Sequence, residues 1–147
     1  MNMRGVSTMI VRNDTQNDTI LWDDGKERLY IFEIPPKNCY IPDKPCITIG
    51  FGYENARYKG EDVFVFVGER YLELRNKIDA VSRDLNGSFR LYDMGWDTDG
   101  YIDINMTTNG KAEVTGRLGA SFSPYSLQFK LDVDQTVLTA LLRILKI

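Results

Sequence analysis

Histidine is absent from all 147 residues. With it go the Ser-His-Asp triad, the Cys-His dyad, the HExxH zinc helix and any imidazole general base. Acid–base chemistry would have to run on Asp, Glu, Lys or Tyr. Neither a GxGxxG nor a Walker A motif occurs, so the common phosphate-cradling loops are missing as well. Cysteine is scarce: Cys39 and Cys46 stand alone, with Pro42 and Pro45 between them. Two such ligands, without a CxxC pair, make a poor zinc site, and they are expected as free thiols of a reducing cytosol. No apolar run approaches the length that spans a bilayer. The start of the chain has Arg4 and then only Met9, Ile10 and Val11 as an apolar stretch, too little for a signal-peptide core. A cytoplasmic protein with no membrane partner is expected.

What is present is the composition of one globular domain, 43% hydrophobic and 27% charged. No internal repeat, low-complexity stretch or linker divides residues 1–147. The net charge of -3 argues against a nucleic-acid partner, whose backbone needs a basic patch. It leaves a basic protein partner open, since opposite potentials steer association.

Residues 1–45 read as an N-terminal extension of short strands and loops. Strands are expected near Thr8–Arg12, near Thr19–Trp22 and at 29–34, the last stopped by Pro35 and Pro36. Residues 46–147 read as a β-β-α-β-β-β-β-α core. In CITIGFGY, Ile47, Ile49, Phe51 and Tyr53 share one strand face, opposite Cys46, Thr48, Gly50 and Gly52. The nearly bare face suits close approach of another element, a bend, or, at an edge, a partner strand. DVFVFV, at 62–67, is apolar on both faces and is expected centrally in the sheet. Tyr71, Leu74, Ile78, Val81 and Leu85 then form a helical stripe, stopped by Asn86-Gly87. Phe89 and Leu91 point inward from the next strand.

The hairpin YIDINMTTNGKAEVTGRL has a decidable register. A two-residue Asn109-Gly110 loop would mix its apolar and polar faces. A three-residue loop, Thr108-Asn109-Gly110, pairs Met106 with Ala112 and Ile104 with Val114, and puts Gly110 where a left-handed backbone is needed. A last strand, inward at Leu127, Phe129, Leu131 and Val133, precedes a helix with Asp134 as its cap and a stripe of Val137, Leu138, Leu141, Leu142 and Leu145. The expected fold class is α+β: a curved antiparallel sheet of about seven strands, with a central and a C-terminal helix packed on it.

DTDGYIDINM, at 97–106, carries part of a calcium-loop pattern. With Gly100 at the sixth position, Asp97, Asp99 and Asp103 fall on ligand positions. The first position is then Gly95 and the twelfth Met106, so the bidentate acid is missing and a plain turn is the expectation, with no metal and no cofactor. The same segment is the richest cluster of acids and aromatics: Trp96, Asp97, Asp99, Tyr101 and Asp103. Aromatic anchors and charge are what a protein-binding face presents. The plainer alternative has Trp96 capping the core and the aspartates as solvated turn residues.

From residue 46 on, YKGEDVFVFV, RYLELRNKIDAVSRDLNGSFRL, GYIDINMTTNGKAEVTGRLG and LQFKLDVDQTVLTALLRIL follow one another in an order that resembles the WapI-like immunity proteins of bacterial polymorphic, contact-dependent toxin systems. The resemblance implies a cytosolic antidote that binds and neutralises the toxic C-terminal domain of a cognate toxin, a nuclease being one candidate, and it implies no enzyme. It carries no motif of binding residues. Two alternatives stand beside it: a small carboxylate-based enzyme such as a glycoside hydrolase, and a non-catalytic structural or adaptor domain.

Overall fold

The computed structural model describes residues 18–33 and 46–145. Two strands come first, β1 (Thr19–Asp23) and β2 (Glu27–Glu33), then β3 (Cys46–Asn55) and β4 (Lys59–Val67). Helix α1 (Gly68–Asp84) leads to β5 (Ser88–Tyr92), β6 (Tyr101–Met106), β7 (Lys111–Leu118) and β8 (Leu127–Asp134), and α2 (Thr136–Ile144) follows. The class is α+β, but the strands divide into two four-stranded antiparallel sheets, β1-β2-β3-β4 and β5-β6-β7-β8, where a single curved sheet was expected. The division falls at α1, the long connection between β4 and β5. β1 and β2 belong to the first sheet with β3, so that sheet is not confined to residues 46 onward. The strand expected near Thr8–Arg12 lies outside the described residues.

One apolar cluster joins both sheets and both helices. The stripe of α1 buries Tyr71, Leu74, Ile78 and Val81. Leu85, expected as its next member, is instead the left-handed cap of the helix at φ 51, and 38% exposed. α2 buries Val137, Leu138 and Leu141. Asp134 accepts the Thr136 amide at 2.9 Å, so its carboxylate serves an otherwise open first-turn donor from just outside the helix. Across the core, Tyr53 of β3 stacks on Phe129 of β8 with ring centroids 4.6 Å apart. Each large side chain buried in this way contributes roughly 1.5–3 kcal/mol.

The bare face of β3 is occupied from within. Gly50 lies opposite Phe32 and Gly52 opposite Tyr30 on β2. A β-carbon at Gly50 would fall 2.0 Å from the Phe32 ring, and one at Gly52 2.1 Å from the Tyr30 ring. The glycines let two aromatic rings lie flat over the strand, a cross-strand packing known to offset glycine's weak strand preference. Tyr30 also donates its hydroxyl to Glu61 on β4, one strand further along the same row. Because β3 is an interior strand, no partner strand can add at Gly50 and Gly52.

β4 is likewise not central: it is the last strand of its sheet. Its outer edge is met by the segment after β5. Met94 donates its amide to the Val65 carbonyl at 2.8 Å, and the Val65 amide donates to the Asp93 carboxylate at 2.9 Å. This segment satisfies backbone groups on the open edge, while Phe64 and Phe66 are buried on one face and Val63, Val65 and Val67 half-buried on the other. Cys46, expected as a free thiol, is disulfide-bonded, while Cys39 lies outside the described residues. Among the described residues no helix is long and apolar enough to cross a membrane.

Candidate functional site

The β5–β6 loop, residues 93–100, is organised by one buried carboxylate. Asp93 Oδ1 accepts the amides of Val65 and Gly95, and Oδ2 accepts those of Asp97 and Thr98. Four amide donors converge on a side chain that is 2% exposed. Such charge-assisted bonds are among the stronger ones in proteins. Trp96 sits on the loop so formed, at φ 62 and 72% exposed. A bulky residue in the left-handed region is strained and persists only where its surroundings impose it. Trp96 therefore does not cap the core; it is displayed.

A second buried acid ties this loop to its neighbour. Asp62 of β4 accepts the Thr98 hydroxyl and the Gly119 amide on one oxygen, both at 2.9 Å. It thereby links the first sheet to the β5–β6 loop and to the β7–β8 loop, residues 119–126. Burial pushes the Asp62 carboxyl above its ordinary range; the Gly119 amide and Thr98 hydroxyl oppose that shift, and the nearby Asp93 charge adds to it. Gly100 is explained by the same contact, since a β-carbon there would lie 2.4 Å from Asp62 Oδ2 and 2.9 Å from the Arg117 carbonyl. The glycine serves close approach of a carboxylate, a reason beyond the plain turn expected from the sequence.

The structure brings Trp96, Asp99 and Tyr101 together around a cleft of about 330 Å³, lined also by Arg90, Tyr92, Asp93, Thr98 and Gly100. Tyr101 lies between two guanidinium groups, with Arg90 4.3 Å and Arg117 5.4 Å from its ring centroid. Arg70 of α1 sits 5.7 Å from the Trp96 ring. The aspartates point to separate partners. Asp103 holds Arg90 through two bonds of 2.7 and 2.8 Å. Asp99 accepts from the Ser121 amide and hydroxyl and pairs with Arg117 at 3.2 Å. The Ser121 hydroxyl and amide, with Arg117 adding to them, hold the Asp99 carboxyl below its ordinary range. Only the Asp97 carboxylate, exposed on the loop, takes no hydrogen bond among the described residues.

The acids that looked like one patch in the sequence are thus mostly spent internally. What faces solvent is a mixture: the Trp96 ring, the open Asp97 carboxylate, and the already paired Asp99 and Arg90. The Ser121 contact places the β7–β8 loop beside Asp99, and that loop exposes Phe122 at 82% and Tyr125 at 46%. Neither was singled out from the sequence. The available signal was SFSPYS, in which two aromatics alternate with turn formers and have no strand face to pack on. No group of three or more metal-ligating side chains occurs among the described residues.

Comparison with protein-family models, with curated proteins and with solved structures finds no match to this chain.

Proposed function

We propose that this chain is a binding protein of the immunity type, which neutralises the toxic domain of a cognate contact-dependent toxin by docking through the end of the molecule that carries Trp96, Tyr101 and Phe122. The observation that carries the reading is the display of Trp96. A tryptophan held in a strained backbone, largely exposed, on a loop fixed by four amide bonds to Asp93, is a preorganised anchor. Phe122, on the adjoining loop, widens the apolar area available to a partner. The Asp97 carboxylate supplies a local polar contact, and the net charge of -3 favours approach of a basic toxin at long range.

The carboxylate-enzyme alternative draws less support. Two buried acids do lie near one another, but Asp93 and Asp62 are engaged by amide and hydroxyl donors. A catalytic carboxylate needs an oxygen within reach of substrate. The cytosolic address belongs to the same proposal, and the Cys46 disulfide pulls against it, because such bonds persist chiefly in oxidising compartments.

Co-expression with any toxin domain found encoded directly upstream tests the reading. Wild type is expected to restore growth and to co-elute with the domain on a sizing column, and Trp96→Ala to lose both. Undiminished toxicity with no complex rejects it.

A further inference from the structure

We infer that the free edge of β8 pairs antiparallel with β8 of a second copy of this chain, about a two-fold axis through Leu131. β8 is the last strand of its sheet, and the backbone of residues 127–133 takes hydrogen bonds from β7 alone among the described residues. An unpaired strand edge is a template for another strand. Phe129, Leu131 and Val133 face the core, while Gln128, Lys130 and Asp132 are exposed.

The outer face of β7 and β8 carries an electrostatic defect at this edge. Glu113 lies directly opposite Asp132. Like charges in that position destabilise a sheet. Lys130 reaches Glu113 at 3.3 Å, which leaves Asp132 with no cation of its own among the described residues. A second β8 supplies one. Side chains alternate along a strand, so only registers that set buried positions opposite buried positions keep both cores intact. A two-fold through Lys130 would oppose two ammonium groups, and one through Asp132 would oppose two carboxylates. A two-fold through Phe129 would put Lys130 opposite Gln128 and leave Asp132 unrelieved. Through Leu131, each Lys130 faces the other copy's Asp132, and Gln128 faces Asp134. Lysine on an edge ordinarily discourages pairing; in this register it is the complementary group. The contact is one strand wide and self-complementary, the interface of a weak isologous dimer.

Sedimentation velocity over a concentration series reaching the millimolar range tests this on the full chain, with circular dichroism to show that each variant is folded. Lys130 is 64% exposed and both substitutions are on the surface. Wild type is expected to pass from monomer to dimer. Lys130→Asp and Asp132→Lys are each expected to weaken the dimer by roughly tenfold or more, and the double variant K130D/D132K to restore it, because the exchanged charges complement one another again about the same axis. A wild type that stays monomeric throughout, a dimer indifferent to the single changes, or a double variant no better than the singles would overturn the inference.

Discussion

Asp93 Oδ2 accepts the amide of Asp97 at 2.7 Å, and so the loop that presents Trp96 is closed on a carboxylate four residues upstream. The other oxygen of the same group holds Val65 on the edge of the first sheet. One side chain therefore fixes the loop's shape and its attachment to the body of the protein. For the binding role proposed above, a loop built this way would gain from preorganisation, because less ordering remains to be done on binding.

Asp93→Ala should be the most damaging polar substitution in this region. It removes four charge-assisted bonds and leaves partly buried amides without acceptors. A loss of about 3 kcal/mol in urea unfolding is expected. In a Trp22→Phe background, where Trp96 is the remaining tryptophan, its fluorescence anisotropy should fall under native conditions. An unchanged anisotropy would show that the loop is held by something else.

Asp62 predicts a pH dependence with a definite sign. Burial raises its folded-state pKa above the ordinary 3.8. A raised carboxyl binds its proton more tightly in the folded state, so its contribution is fully present below 3.8 and is lost as pH rises through the folded value. Asp62→Asn removes the titration. The stability of wild type relative to D62N, from urea midpoints, should therefore decline as pH is raised from 3.8 towards neutrality. A difference that grows over that interval would contradict the assignment.

The sequence carried the local decisions better than the long-range ones. The β6–β7 register follows from which face of each strand is apolar, together with a loop that needs left-handed residues; Met106 does pair with Ala112, and Asn109 and Gly110 take φ 57 and 74. Alternation says which face is buried but not which strands share hydrogen bonds, and so it does not distinguish one sheet from the two that form. The two apolar faces of 62–67 suggest an interior strand, but face composition does not report edge pairing; β4 ends its sheet, and its edge is met by Asp93 and Met94, far along the chain. The same limit applies to the site. Trp96, Asp99 and Tyr101 are neighbours in sequence, whereas Asp62, Ser121 and Phe122 reach the site only through pairing of distant strands.

Gly50→Ala should cost about 2–3 kcal/mol, because the added carbon meets the Phe32 ring and the overpacked strand cannot move away from its two neighbours. The contact itself can be isolated by a double-mutant cycle. Phe32→Ala in the G50A background should cost clearly less than in wild type, since the ring it removes is the one the methyl displaces. Additive penalties in denaturant melts would place the strain elsewhere.

Trp96→Gly separates display from stability. An aromatic residue at φ 62 is strained by about 1–2 kcal/mol relative to glycine, which adopts that backbone freely. The side chain is 72% exposed, so little packing is lost with it, although Tyr92 and Arg70 contact the ring. Glycine also raises the entropy of the unfolded chain and returns part of the gain. The net expectation is a melting temperature equal to or a few degrees above wild type, alongside loss of protection against the toxin domain. A residue retained for the fold would show the reverse, a lower melting temperature with protection intact. A melting temperature at or above wild type together with lost protection would mark Trp96 as a side chain that acts through what it touches outside the molecule.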